Sequence, residues 1–407
     1  MTTTAAVEQL LPGGLRLRSC RPGDLEQVGA LLADRGEPAD ALDQRLVVED
    51  PDTGWDATAV VVDGDRVVST ATLLADSVRL EDVVLPAGQV ELVATAPAYE
   101  GRGLVRALMA WAHDRSAARG DLLQVMIGIP YSYRLFGYEY AIDVPPARPV
   151  RSPPAPAPGL RPATAADLPT LARLQDAAQA GADVAMPHPA ARLRWLVAHE
   201  ASTTWVLERD GTVVASARVP EPDDDVLVAE PTAVDDAAAT GLLAGVAALA
   251  AGRPVRVTDR PGTLPGRAWA DRLGDGSDLA EQYYVRVPEP GALLEALRPV
   301  LTRRFADVGA ERGGHDVVVS TYRASWRLPV TDDGLGPVVP GGRLQAPGTV
   351  RGAGVAPDQL GALLLGPHGM HGLSRRRPDV YPGRDADSYA ALFPPLRADL
   401  LTYYLPY

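Results

Sequence analysis

The sequence predicts an α+β protein with mixed β-sheets, built from more than one domain. Three observations support this fold class. The chain has 407 residues, which exceeds the size at which a single hydrophobic core ordinarily stops growing. Apolar stretches typical of strands alternate with helical spacing of apolar residues. A pattern of strand, turn and helix near the start of the chain recurs after residue 159, which indicates a repeated domain.

The composition is that of a folded, acidic protein. Hydrophobic residues make up 46% of the chain and charged residues 22%, with a net charge of −13 at pH 7. This charge disfavours nucleic acid and anionic membranes, because both repel a negative protein. The N-terminus lacks the basic start and apolar run of a signal peptide, and a single cysteine excludes an internal disulfide. We therefore expect a cytoplasmic protein with no nucleic-acid or membrane partner.

A proline-rich segment, VPPARPVRSPPAPAPG, marks the first domain boundary. Prolines at this density predict an extended, stiff connector, because proline lacks the N–H group that a sheet or helix uses. The last part of the chain opens with the helical pattern GALLEALRPVLTRRF, continues through strand-like VVVSTYRASWRLPV, and predicts a short helix at 358–365. The predicted units are a first domain at 1–145, a linker at 146–158, a second domain at 159–287 and an α+β domain at 288–407.

The first two domains are predicted to share one fold. The stretch LRSCRPGDLEQVGALL, from Leu17, resembles LRPATAADLPTLARLQ, from Leu160. Each predicts a short strand, a turn, and a helix that begins near an aspartate, Asp24 or Asp167. The stretches VVVDGDRVVSTA and VLERDGTVVASA each predict a hairpin that turns at Asp-Gly. Two tandem domains of the same fold account for both similarities.

The strongest functional signal lies in residues 90–140. A strand, VELVATA, is followed by a glycine-bearing loop, YEGRGLV, and then by a helix. Backbone N–H groups at a helix N-terminus bind phosphate, and Gly101 and Gly103 allow a ligand to approach the backbone closely. The glycine spacing and acidic residue of a dinucleotide fold are missing, as are the lysine and hydroxyl of a P-loop. This argues against NAD and ATP.

These residues resemble the GNAT superfamily of acyl-CoA transferases. The family motif, Gln/Arg-x-x-Gly-x-Gly/Ala, corresponds to EGRGLV at residues 100–105, in which Gly103 matches whereas Glu100 and Val105 depart from the pattern. After the next strand, YSYRLFGYE resembles the tyrosine segment of the superfamily. Tandem GNAT domains followed by a sterol-carrier-protein-like α+β domain, with Leu-Phe-Pro-Pro before an aromatic C-terminus, resemble the enhanced-intracellular-survival (Eis) family.

The resemblance implies an N-acetyltransferase that uses acetyl-CoA and needs no metal. The acceptor would be a primary amine of a small molecule, such as a polycationic, aminoglycoside-like compound, which attacks directly in a ternary complex. The family forms hexamers, which implies a homo-oligomer. We expect the pantetheine arm and pyrophosphate of acetyl-CoA to contact Val93, Ala94, Thr95, Glu100, Gly101, Arg102, Gly103, Leu104, Val105 and Arg106.

The resemblance also implies the catalytic groups. Tyr133 holds the family's position for the general acid that protonates the departing CoA thiolate, with Tyr131 and Tyr138 as nearby alternatives. A base should remove the ammonium proton of the acceptor. The resemblance assigns that role to the C-terminal α-carboxylate of Tyr407, and Glu91, or a water that it orders, is the alternative.

Other functions and sites remain open at this point. The chain could be an apolar-ligand or lipid-binding protein with a vestigial GNAT domain, or an acyltransferase that uses a longer acyl-CoA or protein lysines. In the second domain, VDDAAATGLLAG replaces the glycine loop, and Asp235 and Asp236 would repel a pyrophosphate, so we expect no CoA there. His368 and His371 lack the third ligand that a metal site needs. Loops around residues 34–58 are expected to shape the acceptor pocket.

Overall fold

The structure is a computed structural model that describes residues 8–221, 224–276, 281–306, 308 and 315–400. Helices and mixed sheets occur throughout these ranges, which confirms the predicted α+β class. No helix in the described ranges combines the length and apolar composition that a membrane crossing requires.

The helices in the described ranges are α1 (Leu25–Arg35), α2 (Pro38–Glu49), α3 (Leu104–Arg119), α4 (Leu168–Gln179), α5 (Ala190–Ala198), α6 (Asp236–Ala250), α7 (Leu264–Ala268), α8 (Pro290–Ala296), α9 (Arg298–Ala306), α10 (Leu360–Leu365), α11 (Gly369–Arg376) and α12 (Ala386–Leu392). The strands are β1 (Glu8–Leu10), β2 (Arg16–Ser19), β3 (Thr58–Asp63), β4 (Arg66–Leu80), β5 (Val83–Thr95), β6 (Leu123–Met126), β7 (Glu139–Asp143), β8 (Ala147–Pro149), β9 (Leu160–Pro162), β10 (Val184–Ala185), β11 (Ser202–Arg209), β12 (Thr212–Pro220), β13 (Val226–Ala233), β14 (Val255–Thr258), β15 (Gln282–Arg286), β16 (Val317–Ser320), β17 (Ser325–Leu328), β18 (Val330–Thr331), β19 (Gly334–Leu335), β20 (Val339–Gly341), β21 (Ala353–Gly354) and β22 (Ala398–Asp399).

The first sheet has the strand order β1-β2-β3-β4-β5-β6-β15-β7. Strands β5 and β6 run parallel, which requires a crossover connection, and α3 provides it. Leu108, Met109 and Ala112 form the buried face of α3 and share a core with Val90 of β5 and Val68 of β4. This packing fixes the N-terminus of α3 just beyond the end of β5, where the glycine loop lies.

The second sheet has the order β8-β14-β13-β12-β11-β9. Its strands β13 and β14 are parallel, and α6 is the crossover helix between them. The sheet therefore repeats the arrangement of the first sheet from β2 to β6. The two predicted Asp-Gly hairpins are confirmed as β3–β4 and β11–β12.

The two repeats of this arrangement, residues 16–126 and 160–258, also share an ion pair at the start of their first helices, α1 and α4. The guanidinium of Arg18 donates to both carboxylate oxygens of Asp24, at 2.6 and 2.8 Å. In the second repeat, Arg161 donates to both oxygens of Asp167, at 2.8 and 2.9 Å. Each aspartate also accepts a backbone N–H three residues earlier, at 2.8 Å. Paired two-bond contacts of this kind fix the angle between strand and helix.

Two strands depart from the sequence-based division. The linker prediction is wrong for Ala147–Pro149, which form β8 and pair with β14. Because β8 is an edge strand, its proline removes no ladder hydrogen bond. Strand β15, which follows the second sheet along the chain, lies in the first sheet between β6 and β7. A strand from the predicted linker thus joins the second sheet, and a strand from the predicted second domain joins the first sheet. The division itself stays a prediction.

The described helices that follow β15 pack against the β6–β15–β7 end of the first sheet. A third sheet has the order β20-β17-β16-β21. The helix predicted from GALLEALRPVLTRRF is interrupted at Leu297, because Pro299 lacks a backbone N–H and begins a new helix, α9. The short helix predicted at 358–365 is present as α10. Helices α8 to α12 share one hydrophobic cluster with Val125, Ile142 and Val285 of the first sheet.

The last described strand, β22, is held by a buried ion pair. Arg260 donates to Asp399 of β22 with an N···O distance of 2.7 Å, and the two side chains are 0% and 8% exposed. Strand β22 also pairs with β10, which pairs with the end of β4. These contacts anchor the chain up to Leu400, the last residue that the structure describes. Tyr407 lies outside the described residues.

Candidate active site

A cleft opens where the parallel strands β5 and β6 separate. Their pairing extends from Ala87 opposite Leu123 to Gln89 opposite Val125. Strand β6 ends at Met126, whereas β5 continues to Thr95. Among the residues that the structure describes, the backbone of β5 beyond Gln89 therefore has no strand beside it on the β6 side.

The part of β5 that lines the cleft contains a β-bulge. Thr70 of β4 lies opposite Ala94 and Thr72 lies opposite Glu91, so Leu92 and Val93 together face a single residue of β4. Leu92 has a φ of +52°, a left-handed conformation that is uncommon for a branched residue. A bulge turns backbone groups out of the regular ladder. It therefore presents backbone amides of β5 to the cleft.

The cleft encloses a cavity of about 740 Å³. This volume is in the range of small-molecule and cofactor sites. Most of its lining is apolar, and it also carries carboxylates and two tyrosines. The lining residues are Leu32, Arg35, Gly36, Glu37, Asp40, Val90, Glu91, Leu92, Val93, Ala94, Ile127, Gly128, Ile129, Pro130, Tyr133, Tyr140, Val144, Glu281 and Gln282.

Tyr133 lies in the short 3-10 turn Ser132–Phe136, and its ring packs on Gly128 so closely that a Cβ at Gly128 would overlap it. The side chain is 8% exposed. Burial, with a contribution from the negative charge of Glu91, raises the pKa of Tyr133 to about 12. The phenol is therefore fully protonated at neutral pH and holds a proton that it can donate.

Glu91 is 3% exposed and belongs to a buried polar network. It accepts a hydrogen bond from the side-chain amide of Gln89, whose oxygen accepts from Arg192 of α5 at 3.2 Å. Arg192 also forms an ion pair with Asp76. The structure thus brings Glu91 and Tyr133, both predicted site residues, to one cavity, and ties Glu91 to a helix of the second repeat.

The alternative tyrosines lie elsewhere. The side chain of Tyr131 is exposed. Tyr138 is buried, with its hydroxyl 3.1 Å from Nε2 of His113 and 3.4 Å from the side-chain oxygen of Gln124. Neither residue is part of the cavity lining.

The glycine loop lies between the end of β5 and the start of α3. Gly101 and Gly103 have φ angles of +74° and +77°, with open space where a side chain would begin. The first helical hydrogen bond runs from Ala107 N to Gly103 O at 3.1 Å. Within the described part of the chain, the N–H groups of residues 101–106 donate to no acceptor. Free N–H groups at the positive end of a sixteen-residue helix are suited to binding an anion.

The side chains of this loop form local contacts. Glu100 pairs with Arg35 of α1 at 2.6 Å. The guanidinium of Arg102 lies 4.6 Å from the ring centroid of Tyr99, and Arg106 is exposed beside Phe136. The buried side chain of Leu104 and the partly buried one of Val105 pack in the core under α3. The loop residues are therefore placed to offer backbone groups to a ligand.

Val93 and Ala94 line the cavity, whereas Thr95 does not. The hydroxyl of Thr95 lies 2.7 Å from the Ser69 hydroxyl, which also donates to the carbonyl of Ala94 at 2.9 Å. Clusters of three or more His, Cys, Asp or Glu side chains that could hold a metal ion are absent from the described residues.

Sequence reasoning missed several cavity residues. Glu37 is the N-cap of α2 and Asp40 lies in its first turn, so the prediction of loops around residues 34–58 is wrong over Pro38–Glu49, which are helical. Nothing in the sequence singled out either residue. Burial raises the pKa of Asp40 to about 6. Glu281 and Gln282 enter the cavity because β15 lies in the first sheet, and no local sequence signal indicates that pairing.

The second sheet has a bulge at the corresponding position. Glu230 of β13 has a φ of +53°, close to that of Leu92, and the register shifts beside it. The side chain of Glu230 is nonetheless buried against Arg218 and His188, at N···O distances of 3.5 and 3.3 Å. The cavity there has a volume of about 30 Å³, roughly the space of one water molecule.

Comparisons with known proteins agree with this geometry. A family described as "Acetyltransferase (GNAT) domain" matches residues 17–141. A GCN5-related N-acetyltransferase from Kribbella flavida is 20% identical, with a TM-score of 0.66, over 96% of this chain and 98% of that chain. One from Anabaena variabilis is 14% identical, with a TM-score of 0.66, over 96% and 98%. Eis1 from Mycobacterium abscessus is 15% identical, with a TM-score of 0.62, over 95% and 100%.

The search of curated proteins found no match. The structural likenesses show that the chain shares the fold of these proteins over nearly its whole length. GNAT domains bind acetyl-CoA as a substrate, and the cleft, bulge and glycine loop all lie in or beside the matched segment. Residues 17–141 match the acetyltransferase (GNAT) domain family, and the protein is an enzyme of the acyltransferase class.

Proposed function

We propose that the protein transfers an acetyl group from acetyl-CoA to a primary amine of a small molecule, by direct attack in a ternary complex. One observation carries the proposal: a protonated, buried tyrosine and a strand bulge line the same cavity, beside a helix N-terminus with free N–H groups. Acetyl transfer to an amine needs a proton donor, amide donors for the carbonyl oxygen and a phosphate site for CoA.

Acetyl-CoA would lie along the open edge of β5. The N–H groups of residues 101–106 would hold its pyrophosphate, since they point to no acceptor in the described chain. The backbone of Val93 and Ala94 would bond the amides of the pantetheine arm. The thioester would then lie near the bulge at Leu92, within the cavity that Tyr133 also lines.

The reaction requires one bond to form and one to break. The amine nitrogen attacks the thioester carbonyl, the C–N bond forms, and the carbonyl oxygen gains negative charge that a bulge amide stabilises. The C–S bond then breaks and the sulfur takes a proton from the hydroxyl of Tyr133. The proton lost by the nitrogen passes to a base, which returns the tyrosine to its protonated form through solvent.

For the base we propose the α-carboxylate of Tyr407, on the strength of the resemblance to the Eis family, with Glu91 as the alternative. Deletion of residues 404–407 is then expected to lower kcat by about 10²-fold or more and to leave the Kd for acetyl-CoA within about twofold. Steady-state kinetics and calorimetry measure the two quantities. An unchanged kcat would exclude the terminal carboxylate, and a Glu91→Gln variant would then test the alternative.

The acceptor we propose is a cationic or polycationic amine, of the aminoglycoside-like kind. Among the described residues that line the cavity, Glu37, Asp40, Glu91 and Glu281 are acidic, and the single cation is Arg35, which pairs with Glu100. Apolar side chains form the remaining walls, which suits an amine on a ring or hydrocarbon scaffold. This excess of carboxylates favours a positively charged ligand over a neutral one.

The raised pKa of Asp40 gives this acceptor proposal a pH dependence. Below pH 6 the carboxyl is protonated and neutral, so it no longer attracts a cation. Loss of one charge contact of about 1 kcal/mol predicts that spermidine, which keeps its charge over this range, binds about fivefold more weakly at pH 5 than at pH 7.5. The neutral variant Asp40→Asn should lose this difference. Calorimetry at both pH values measures it, and an equal difference in the variant would contradict the role of Asp40.

The second sheet is proposed to be a degenerate GNAT domain that binds no CoA. Glu230 of its bulge pairs with Arg218 and His188, and its cavity has a volume of about 30 Å³, whereas the first has about 740 Å³. Asp235 caps α6 where the first repeat has free N–H groups. We therefore expect calorimetry to find one acetyl-CoA per chain, and a stoichiometry of two would overturn this.

Further proposals rest on the Eis resemblance. We propose a homo-oligomer, hexameric as in that family, in the cytoplasm, with a sterol-carrier-protein-like domain after residue 287. The hypothesis that competes with acetyl transfer to a small amine is an acyltransferase specific for longer acyl-CoA, or for protein lysines.

The test of the proposed function is mass spectrometry of acceptors incubated with the protein and equal amounts of acetyl-, propionyl- and palmitoyl-CoA. The amines are kanamycin, spermidine and a lysine-containing peptide. Our proposal expects one added acetyl group on a small amine. A palmitoylated amine as the main product would favour an acyltransferase for longer acyl-CoA, and an acylated peptide would favour one that acts on protein lysines.

A further inference from the structure

Tyr284 lies on β15, a strand that follows the second sheet along the chain but belongs to the first sheet. Strand β15 pairs with β6 through Tyr284 and Met126, and with β7 through Tyr284 and Tyr140. Tyr284 is fully buried. Its ring stacks on that of Tyr140 with a centroid distance of 4.0 Å, and its edge meets the ring of Tyr133 at 6.0 Å.

The hydroxyl of Tyr284 ties the loop before Tyr133 to this strand. It accepts the backbone N–H of Tyr131 at 2.7 Å and donates to the hydroxyl of Tyr140 at 2.8 Å, with the carbonyl of Ile129 at 3.4 Å as a second acceptor. Burial contributes most to raising the pKa of Tyr284 to about 12, so this hydroxyl keeps its proton at neutral pH.

The tethered backbone is in a strained conformation. Tyr131 has a φ of +70° and a ψ of −32°, a combination that costs free energy for a residue with a side chain and persists only where its surroundings fix it. Tyr131 directly precedes the turn Ser132–Phe136, which carries Tyr133. The bond from Tyr131 to Tyr284 is therefore in a position to determine where that turn begins.

We infer that Tyr284 is a positioning residue for Tyr133: its hydroxyl holds the strained backbone at Tyr131, and its ring supports the ring of Tyr133, so that the phenol of Tyr133 faces the cleft. This inference rests on the proposed function for its catalytic consequence. It also gives β15 a role in the site, because Tyr133 and the residue that positions it, Tyr284, are about 150 positions apart in the chain.

The test compares Tyr284→Phe with Tyr283→Phe. The first change removes the tether and keeps the ring. The second is the matched control on the same strand, because the Tyr283 hydroxyl is buried and has no hydrogen-bond partner within the described residues. With acetyl-CoA and kanamycin or spermidine as substrates, we expect Tyr284→Phe to lower kcat about 10- to 100-fold, with the KM for acetyl-CoA within twofold. Tyr283→Phe should keep the wild-type kcat.

A double variant separates positioning from general loss of structure. If Tyr284 acts through Tyr133, then adding Tyr284→Phe to Tyr133→Phe should lower kcat by less than twofold further, because the group to be positioned is already gone. A further drop equal to that of Tyr284→Phe alone would overturn the inference.

Hydrogen exchange followed by mass spectrometry tests the tether without any acceptor. Tyr284→Phe should speed exchange in residues 129–133 at least tenfold, whereas Tyr283→Phe should not. Unchanged exchange in Tyr284→Phe would refute the inference even if the enzyme is active. If Tyr284→Phe speeds exchange in these residues but the wild-type protein acetylates no amine, the result would support the tether and count against the proposed function instead.

Discussion

Tyr133→Phe is expected to lower kcat by about 10²- to 10⁴-fold, the range that a general acid contributes, and to leave the Kd for acetyl-CoA within about twofold. The phenol is the proposed proton donor to the CoA sulfur, and burial keeps it protonated. Removing the hydroxyl leaves the ring, which packs on Gly128 and Tyr284, so the cleft should keep its shape. Steady-state kinetics with saturating acetyl-CoA measure kcat.

The matched control for this change is Tyr138→Phe. Tyr138 lies in the same segment but does not line the cavity, and its hydroxyl bonds to His113 and Gln124. We expect a modest loss of stability from this variant, about 1 kcal/mol, and a kcat within about threefold of wild type. If Tyr138→Phe abolished turnover while Tyr133→Phe did not, the acid would be misassigned.

Gly103→Ala is expected to weaken acetyl-CoA binding by about 10- to 150-fold, since charge-assisted hydrogen bonds of about 1.5–3 kcal/mol would be lost or distorted. Gly103 is the N-cap of α3 with a φ of +77°. A methyl group there would strain the backbone and intrude on the space that a phosphate would occupy. Calorimetric titration with acetyl-CoA measures the effect.

The chain offers a control with almost the same backbone conformation. Gly120 is the C-cap of α3, with a φ of +78° and open space around it. Gly120→Ala should cost about as much stability as Gly103→Ala, roughly 1 kcal/mol, because the strain is alike. It should leave the Kd for acetyl-CoA unchanged, because the C-terminus of α3 carries no free N–H groups. Equal loss of affinity in both variants would mean that helix stability, not the anion site, governs binding.

The parts of the site that lie close together in sequence could be predicted without a structure. The glycine loop depends on local φ angles at Gly101 and Gly103, and glycine marks such positions directly. Likewise, Glu91 and Tyr133 stand near the loop in the chain, and the structure places them on one cavity. Helix and hairpin signals were equally local, which is why α1, α4 and both Asp-Gly hairpins were predicted.

The parts of the site that depend on pairing between distant segments could not be predicted from the sequence. The sequence of β15 is typical of a buried strand, but it contains nothing that selects β6 and β7 as partners in place of the second sheet. Tyr284, Glu281 and Gln282 were missed for that reason. No residue type marks the position of the bulge at Leu92, because leucine rarely adopts a positive φ.

The most direct test of the central claim is the rate of CoA thiol release from acetyl-CoA by the wild-type protein, with and without kanamycin or spermidine. We predict release that depends on the amine, saturates with it, and is stoichiometric with acetylated product. Binding of acetyl-CoA with no amine-dependent release for either compound or for a broader amine panel would contradict the proposed acetyl transfer. It would leave a cleft that holds CoA for another purpose.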